Sequence, residues 1–205
     1  MDAGGIPALD GEQRGAGLCW VTMRPTLHIT PRGAVETTRH YIRDIVYGAS
    51  DGIVTTFAVV SGVAGGSLSH LAVLVIGAAN LAADGLSMGV GNLTAIRAEE
   101  RAREAAGLPE LERYPWKHGI ATLLSFVVAG SVPLVPFVLP IEVDSRVFWS
   151  ACVTFVTMFA LGAARSLVTS ERWWRSGLET LGLGALVAVT AYGAGVLVAR
   201  LAGAL

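Results

Sequence analysis

Residues 41–66 read YIRDIVYGASDGIVTTFAVVSGVAGG, and residues 71–93 read LAVLVIGAANLAADGLSMGVGNL. Both stretches are apolar over about the 20 residues that an α-helix needs to cross a bilayer. Each stretch also carries an acid well inside it, Asp51 in the first and Asp84 in the second. A charged side chain at membrane depth costs about 2.5 kcal/mol or more, so these two acids are candidates for a functional site.

The composition of the whole chain is that of a multi-span membrane protein. Of its 205 residues, 53% are hydrophobic and 15% are charged, whereas soluble domains carry about 25% charged residues. The net charge of −1 gives no basis for nucleic-acid binding. Cys19 and Cys152 have no Cys or His neighbours at metal-ligand spacing, so neither a zinc site nor a disulfide framework is predicted.

Five apolar segments of membrane-spanning length predict an all-α integral membrane domain over residues 41–203. Residues 1–40 lack helical periodicity and the apolar core of a signal peptide, so we expect a polar, largely disordered tail in which Met23 is an alternative start. Residues 94–116 form a short charged loop. The predicted spans are 43–66, 70–93, 118–140, 147–168 and 178–201.

The third segment and the basic residues refine this topology. Pro133, Pro136 and Pro140 are expected to kink or break the outer half of the third span. Arginines are concentrated in the tail, in the 94–116 loop and after the fourth span, whereas the opposite side carries Arg146 and Arg200. The positive-inside rule therefore predicts a cytosolic N-terminus and an external C-terminus.

Four polar or polarisable residues recur along the second helix. Asn80, Asp84 and Met88 follow one another at steps of four residues, about 400° each, so they form one slowly winding stripe. Asn92 extends the stripe toward the cytosolic end. Glycines near these positions predict close packing of the first two helices; they are Gly48, Gly52, Gly85, Gly89 and Gly91.

On the first helix, Asp44 and Asp51 are two turns apart and share a face. Buried carboxylates and an amide oxygen suit magnesium or manganese, and the Met88 thioether shifts the preference toward ferrous iron or a similar ion. The alternative is that Met88 fills the core and Asn80 is an interhelical hydrogen-bonding residue. Asp51 and Asp84 fit that alternative poorly, because no lysine or arginine lies at their depth in the sequence.

The chemistry of two acids in one apolar site also predicts coupling to protons. Two nearby carboxylates in a low dielectric cannot both ionise cheaply. The arrival of a divalent cation would therefore displace protons, as a cation/proton exchanger requires.

YGASDGIVTTFAVVSGVAGG (residues 47–66) and NLAADGLSMGVGNLTAIRAEE (residues 80–100) resemble the paired signatures of the vacuolar iron transporter family, which includes the nodulin-21-like proteins. The resemblance is closest to the short prokaryotic members and extends over about residues 40–203. It implies export of ferrous iron or manganese from the cytosol by proton antiport, through the bacterial plasma membrane or, in a eukaryote, into a vacuole. It also implies a homodimer whose first helices line the path.

The resemblance carries over to individual residues. Asp51 and Met88 match residues of the family's transmembrane metal path, whereas Asn80 and Asn92 stand where plant and yeast-type members have Glu. Longer members insert a Glu-rich, metal-binding helical domain into the loop that is short in this chain. Glu100 and Glu104 share a helix face there and are either cation ligands or, with their arginine neighbours, a solvated ion-paired face.

The predicted function is transport of divalent transition metals, with Fe²⁺ or Mn²⁺ as substrate, protons as coupling ion and no resident cofactor. The expected partners are these cations, the lipid bilayer and a second copy of the chain. The alternative is a membrane metal sensor or assembly protein that does not transport. No His/Glu cluster, Ser/His pair or nucleotide loop is apparent, so an enzyme is not predicted. The histidines are expected to be interfacial residues rather than ligands; they are His28, His40, His70 and His118.

Overall fold

The computed structural model describes residues 33–166 and 172–203. Within these ranges the chain forms helices and short connections without a β-strand, and five of the helical segments are long and apolar enough to cross a membrane. The predicted all-α, five-span architecture is therefore confirmed. The helices are α1 (Ala34–Gly65), α2 (His70–Ala105), α3 (Pro115–Gly130), the one-turn α4 (Val135–Val138), α5 (Arg146–Arg165) and α6 (Trp173–Leu201).

Two helices are longer than the sequence predicted. α1 begins at Ala34, so residues 34–40, which were assigned to the polar tail, are helical; the rest of that tail lies outside the described residues. α2 runs to Ala105 instead of ending near residue 93. Its extension is rich in Ala, Glu and Arg, which are strong helix formers whether or not they are in lipid. The polar loop is thereby shortened to residues 106–114.

The turn between α1 and α2 is short and is held by backbone hydrogen bonds. Ser67 has a positive φ of 53°, and the Ser67 and Leu68 amides donate to the carbonyls of Ala64 and Val63 at 3.1 Å each. These bonds satisfy carbonyls that the helix end would otherwise leave unpaired. Ser69 then caps α2, since its Oγ accepts from the Ala72 amide at 3.3 Å. The two helices consequently run antiparallel.

The proline-rich third span is broken as predicted. α3 ends at Gly130 and is followed by a 3₁₀ turn, Val132–Leu134, and then by α4. The Ser150 hydroxyl on α5 donates to the Pro133 carbonyl at 2.6 Å. A neighbouring helix thus supplies the hydrogen bond that a proline-broken backbone needs inside a bilayer.

α3 lies between α1 and α2, and this arrangement corrects the prediction of close glycine packing between the first two helices. α1 packs most extensively on α3 and α6, and α2 packs mainly on α3. A Cβ on Gly52 would meet the Phe126 carbonyl of α3, and one on Gly119 of α3 would lie 2.6 Å from the Gly89 carbonyl of α2. A Cβ on Gly91 would meet nothing within 4 Å. The glycines therefore allow α3 to pack closely against both α1 and α2.

The core of the bundle is apolar, and its outside is apolar as well. Phe57 and Val60 of α1 are buried against Phe126 of α3 and Phe137 of α4. Large hydrophobic side chains of α2 and α6 are exposed, with Val189 at 73%. Exposed apolar surface of this extent is appropriate for contact with lipid or with a second protein.

Candidate metal-binding site

Asp44 of α1 is held by side chains of two other helices. Its side chain lies near the beginning of the first span and is almost completely buried, at 2% exposure. Oδ1 accepts a 2.8 Å hydrogen bond from Nδ2 of Asn92 on α2. Oδ2 lies 2.5 Å from Nδ1 of His118 on α3. Arg43 adds an exposed positive charge, with its Nη2 3.7 Å from Oδ1.

Asn92 is fixed by more than this one bond. Its Nδ2 also donates to Oγ1 of Thr122 at 2.8 Å, and the Thr122 hydroxyl donates to the His118 carbonyl at 3.0 Å. Two of the residues predicted for the site, Asp44 and Asn92, are thus brought together. The contact joins α1, α2 and α3 at one end of the bundle.

Asp51 and Asp84 form a second, deeper acidic group. Asp51 lies two turns beyond Asp44 on α1, about 10 Å along the helix axis. Both side chains are partly buried, and Asp84 is close enough to repel Asp51 electrostatically. Among the described residues, no Lys, Arg or His lies within ion-pair distance of either carboxylate. The structure therefore places two acids near one another without a cationic partner in the part of the chain that it describes.

The predicted stripe on α2 is a boundary between the buried and exposed faces of the helix. The stripe residues Asn80, Asp84, Met88 and Asn92 are all partly buried. Gly85 and Gly89 on one side of the stripe are buried, and Leu86 on the other side is exposed. Met88 packs against the apolar core. Nδ2 of Asn80 is buried without a hydrogen-bond partner, which is an unfavourable position for an amide.

Glu100 and Glu104, the candidates on the extension of α2, do not lie together in a ligand group within the described residues. Oε1 of Glu100 accepts from the backbone amides of Leu111 and Glu112 at 3.0 and 2.9 Å. Glu104 is exposed. Glu100 therefore fastens the 106–114 loop to α2.

Sequence reasoning missed a histidine–glutamate group at the same end of the bundle. Oε2 of Glu112 lies 3.1 Å from Nε2 of His40 and 3.0 Å from Nε2 of His118. His118 is only 7% exposed, so the prediction of an interfacial residue is wrong for it, as is the statement that no His/Glu cluster exists. His28 lies outside the described residues, and His70 begins α2 beside Phe137. The available signal was His40, one turn before Asp44 on the same face of α1.

Five apolar spans that enclose acids, amides and a thioether define an integral membrane protein equipped to handle cations. The sequence model of the VIT family matches residues 42–108 and 96–196. The chain therefore belongs to the VIT family, and the resemblance seen in its two signature stretches is confirmed.

Two plant relatives are similar over most of their length, and a third relative is similar over a shorter stretch. The alignment with Vacuolar iron transporter 1 of Oryza sativa subsp. japonica is 214 positions long with 25% identity, and it covers 77% of this chain and 85% of that protein. The alignment with Vacuolar iron transporter 1 of Arabidopsis thaliana shows 24% identity and covers 77% of this chain and 88% of that protein. The vacuolar iron transporter of Toxoplasma gondii is 42% identical over 82 residues, or 40% of this chain and 26% of that protein.

Proposed function

We propose that this protein moves divalent transition-metal ions, Fe²⁺ or Mn²⁺, out of the cytosol in exchange for protons. Family membership and the relatives named as vacuolar iron transporters support metal-ion transport. The observation that carries the finer proposal is the pair of partly buried acids Asp51 and Asp84, which lie within electrostatic reach of one another. We expect no enzymatic activity.

The two acids suit a transported ion because a divalent cation between them would remove their repulsion. An isolated carboxylate in an apolar environment is costly unless it is paired or protonated. Met88 is one turn from Asp84 on the same partly buried stripe and offers a softer donor, which favours Fe²⁺ over Mg²⁺. Asn80, one turn away on the other side, offers an amide oxygen.

Proton exchange follows from the same repulsion. With no cation bound, the cheapest way to hold two acids close together in a low dielectric is to keep a proton on one of them. Binding of the metal then releases that proton, and release of the metal takes it up again. The coupling is therefore proposed to reside in the Asp51–Asp84 pair.

The direction of transport, the membrane and the dimer rest on further arguments. The excess of arginine in the N-terminal region and in the α2–α3 connection supports a cytosolic placement of the Asp44 end. The plasma membrane of a bacterium is the proposed location. A second copy is proposed to cover part of the exposed apolar surface of the bundle, as the family resemblance implies.

Transport into proteoliposomes that contain a metal-sensitive dye tests this function. We expect wild-type protein to carry Fe²⁺ or Mn²⁺ at a rate that responds to an imposed pH gradient. Asp51→Asn combined with Asp84→Asn should abolish uptake, whereas Asp144→Asn, in the exposed turn before α5, should not. Uptake by the double variant at the wild-type rate would reject the site.

The response of uptake to the pH gradient and a separate measurement of metal binding distinguish the remaining possibilities. Metal uptake without any response to the pH gradient would reject proton exchange and leave transport standing. Metal binding by wild-type protein without uptake of any tested metal would instead support the non-transporting metal sensor.

A further inference from the structure

A group of three side chains at the Asp44 end of the bundle has the composition of a metal site. The potential ligand atoms of His40, Glu112 and His118 all lie within 4.8 Å of one another. The residues come from the beginning of α1, the α2–α3 loop and the first turn of α3. Together with Asp44 and neighbouring residues they line a cavity of about 320 Å³.

The hydrogen bond between His118 and Asp44 determines which ring nitrogen is available. Oδ2 of Asp44 is an acceptor, so Nδ1 of His118 carries the proton that is donated across 2.5 Å. In the neutral ring, Nε2 then presents a lone pair. That atom is buried and forms no hydrogen bond, although Oε2 of Glu112 is 3.0 Å away. The lone pair of this nitrogen and the carboxylate oxygen repel each other at such a distance, and a cation between them would remove the repulsion.

A proton on Nε2 of His118 would be one way to bridge these two atoms. The approach of Glu112 to Nε2 lies within 3.0 Å but does not have the direction of a hydrogen bond. A metal ion fits better, because neighbouring ligands around a tetrahedral ion with bonds of about 2.0–2.1 Å are roughly 3.3 Å apart. Nε2 of His40 and Oε2 of Glu112 are hydrogen-bonded at 3.1 Å. This separation and the 3.0 Å between Nε2 of His118 and the same oxygen are both close to that spacing.

The surroundings hold these ligands in place. Histidine ligands of metals commonly donate their second ring N–H to a carboxylate, as His118 does to Asp44. The other oxygen of Glu112, Oε1, accepts from the Tyr114 amide at 2.9 Å. Glu100 binds the backbone amide of Glu112 itself at 2.9 Å. The carboxylate is therefore aimed at the two imidazoles by bonds that a metal ion would not disturb.

We propose that His40, Glu112 and His118 bind one divalent first-row transition-metal ion, with Asp44 as the residue that positions His118. Two imidazoles and one carboxylate favour Fe²⁺, Co²⁺ or Zn²⁺ over Mg²⁺ and Ca²⁺. Three protein ligands leave a coordination position open to water, so the ion is exchangeable. Metal binding at this site does not depend on transport. A second role, delivery of the bound ion to the Asp51–Asp84 pair, rests on the proposed function.

Titration of the purified full-length protein with Co²⁺ tests the binding. We expect one tightly bound Co²⁺ with an intense visible ligand-field absorption, of the kind given by four- or five-coordinate ions. His40→Gln and Glu112→Gln should each weaken binding at least tenfold and lose that absorption, and Asp44→Asn should weaken it about 10- to 100-fold. His70→Gln, a histidine of the same chain outside the group, is the matched control and should bind as wild type.

Several outcomes would overturn the site. Unchanged Co²⁺ affinity in both His40→Gln and Glu112→Gln would do so, and so would an equal loss in His70→Gln. His40 is partly exposed, so its variant avoids the folding risk of changing the buried His118. The Asp51→Asn/Asp84→Asn protein should keep the Co²⁺ absorption, which separates this test from that of the transport site. Full metal uptake by His40→Gln would reject the loading role alone.

Discussion

Nδ2 of Asn92 donates a 2.8 Å hydrogen bond to Oδ1 of Asp44, so an amide of α2 holds the carboxylate of α1. A glutamate at this position would set two acids against each other. The asparagine instead leaves Asp44 free to accept from His118 as well. Asn92 therefore fits a local network in which a histidine is the third member.

Removal of this amide should destabilise the bundle. Asn92→Ala loses the bonds to Asp44 and Thr122 and leaves a buried acid with one partner fewer, at a cost of about 1–2 kcal/mol. We expect a lower midpoint of thermal unfolding in detergent, followed by tryptophan fluorescence. Thr94→Ala is the control, because the Thr94 hydroxyl bonds only to the Gly91 carbonyl of its own helix in the exposed part of α2. Equal midpoints for the two variants would contradict the assignment.

The other asparagine of the stripe should behave in the opposite way. Nδ2 of Asn80 is buried without a hydrogen-bond partner, and such a group costs about 1–3 kcal/mol. Asn80→Leu keeps the branching and the number of side-chain heavy atoms, and it is expected to raise the unfolding midpoint while metal uptake falls. A variant that unfolds earlier than wild type would show that the amide is structural.

The difference between these asparagines shows what the sequence can and cannot predict. Helical periodicity places Asn80 and Asn92 on one stripe, because the step of four residues is a property of the helix alone. Only the tertiary structure shows that Asn92 meets Asp44 and Thr122, whereas Nδ2 of Asn80 has no hydrogen-bond partner. Hydropathy likewise predicts five spans and prolines predict the break in the third, since both are local properties.

The histidine–glutamate group could not be predicted from local sequence patterns. His40 and His118 sit near helix ends, where interfacial residues are common, and Glu112 lies in a loop with no periodicity of its own. Glu112 reaches the histidines because Glu100 fastens the loop backbone to α2. The position of α3 between α1 and α2 likewise depends on which glycine faces meet, and a sequence with several glycines on each helix does not specify the pairing.

The space around two glycines, one on α1 and one on α2, predicts opposite effects of alanine substitution on stability. A Cβ on Gly52 would press on the Phe126 carbonyl, whereas one on Gly91 would meet nothing within 4 Å. Gly52→Ala should therefore separate α1 from α3, lower the unfolding midpoint and reduce uptake. Gly91→Ala should be neutral or raise stability by about 0.5–1 kcal/mol, because alanine is the better helix former. The paired unfolding curves check this, and a reversed order of midpoints would exclude the described α1–α3 contact.

Met88 offers a test of metal selectivity that leaves the acids in place. Met88→Leu keeps the volume of a side chain that packs against the core, and swaps of this kind usually cost little stability. It removes the thioether, so the preference for Fe²⁺ over Mn²⁺ should fall several-fold, on the order of 1 kcal/mol. Competition between the two ions for uptake into proteoliposomes measures this ratio directly. Met158→Leu is the control, because Met158 lies on α5, a different helix from the stripe. An unchanged ratio in Met88→Leu would assign Met88 to the core alone and leave selectivity to the oxygen ligands.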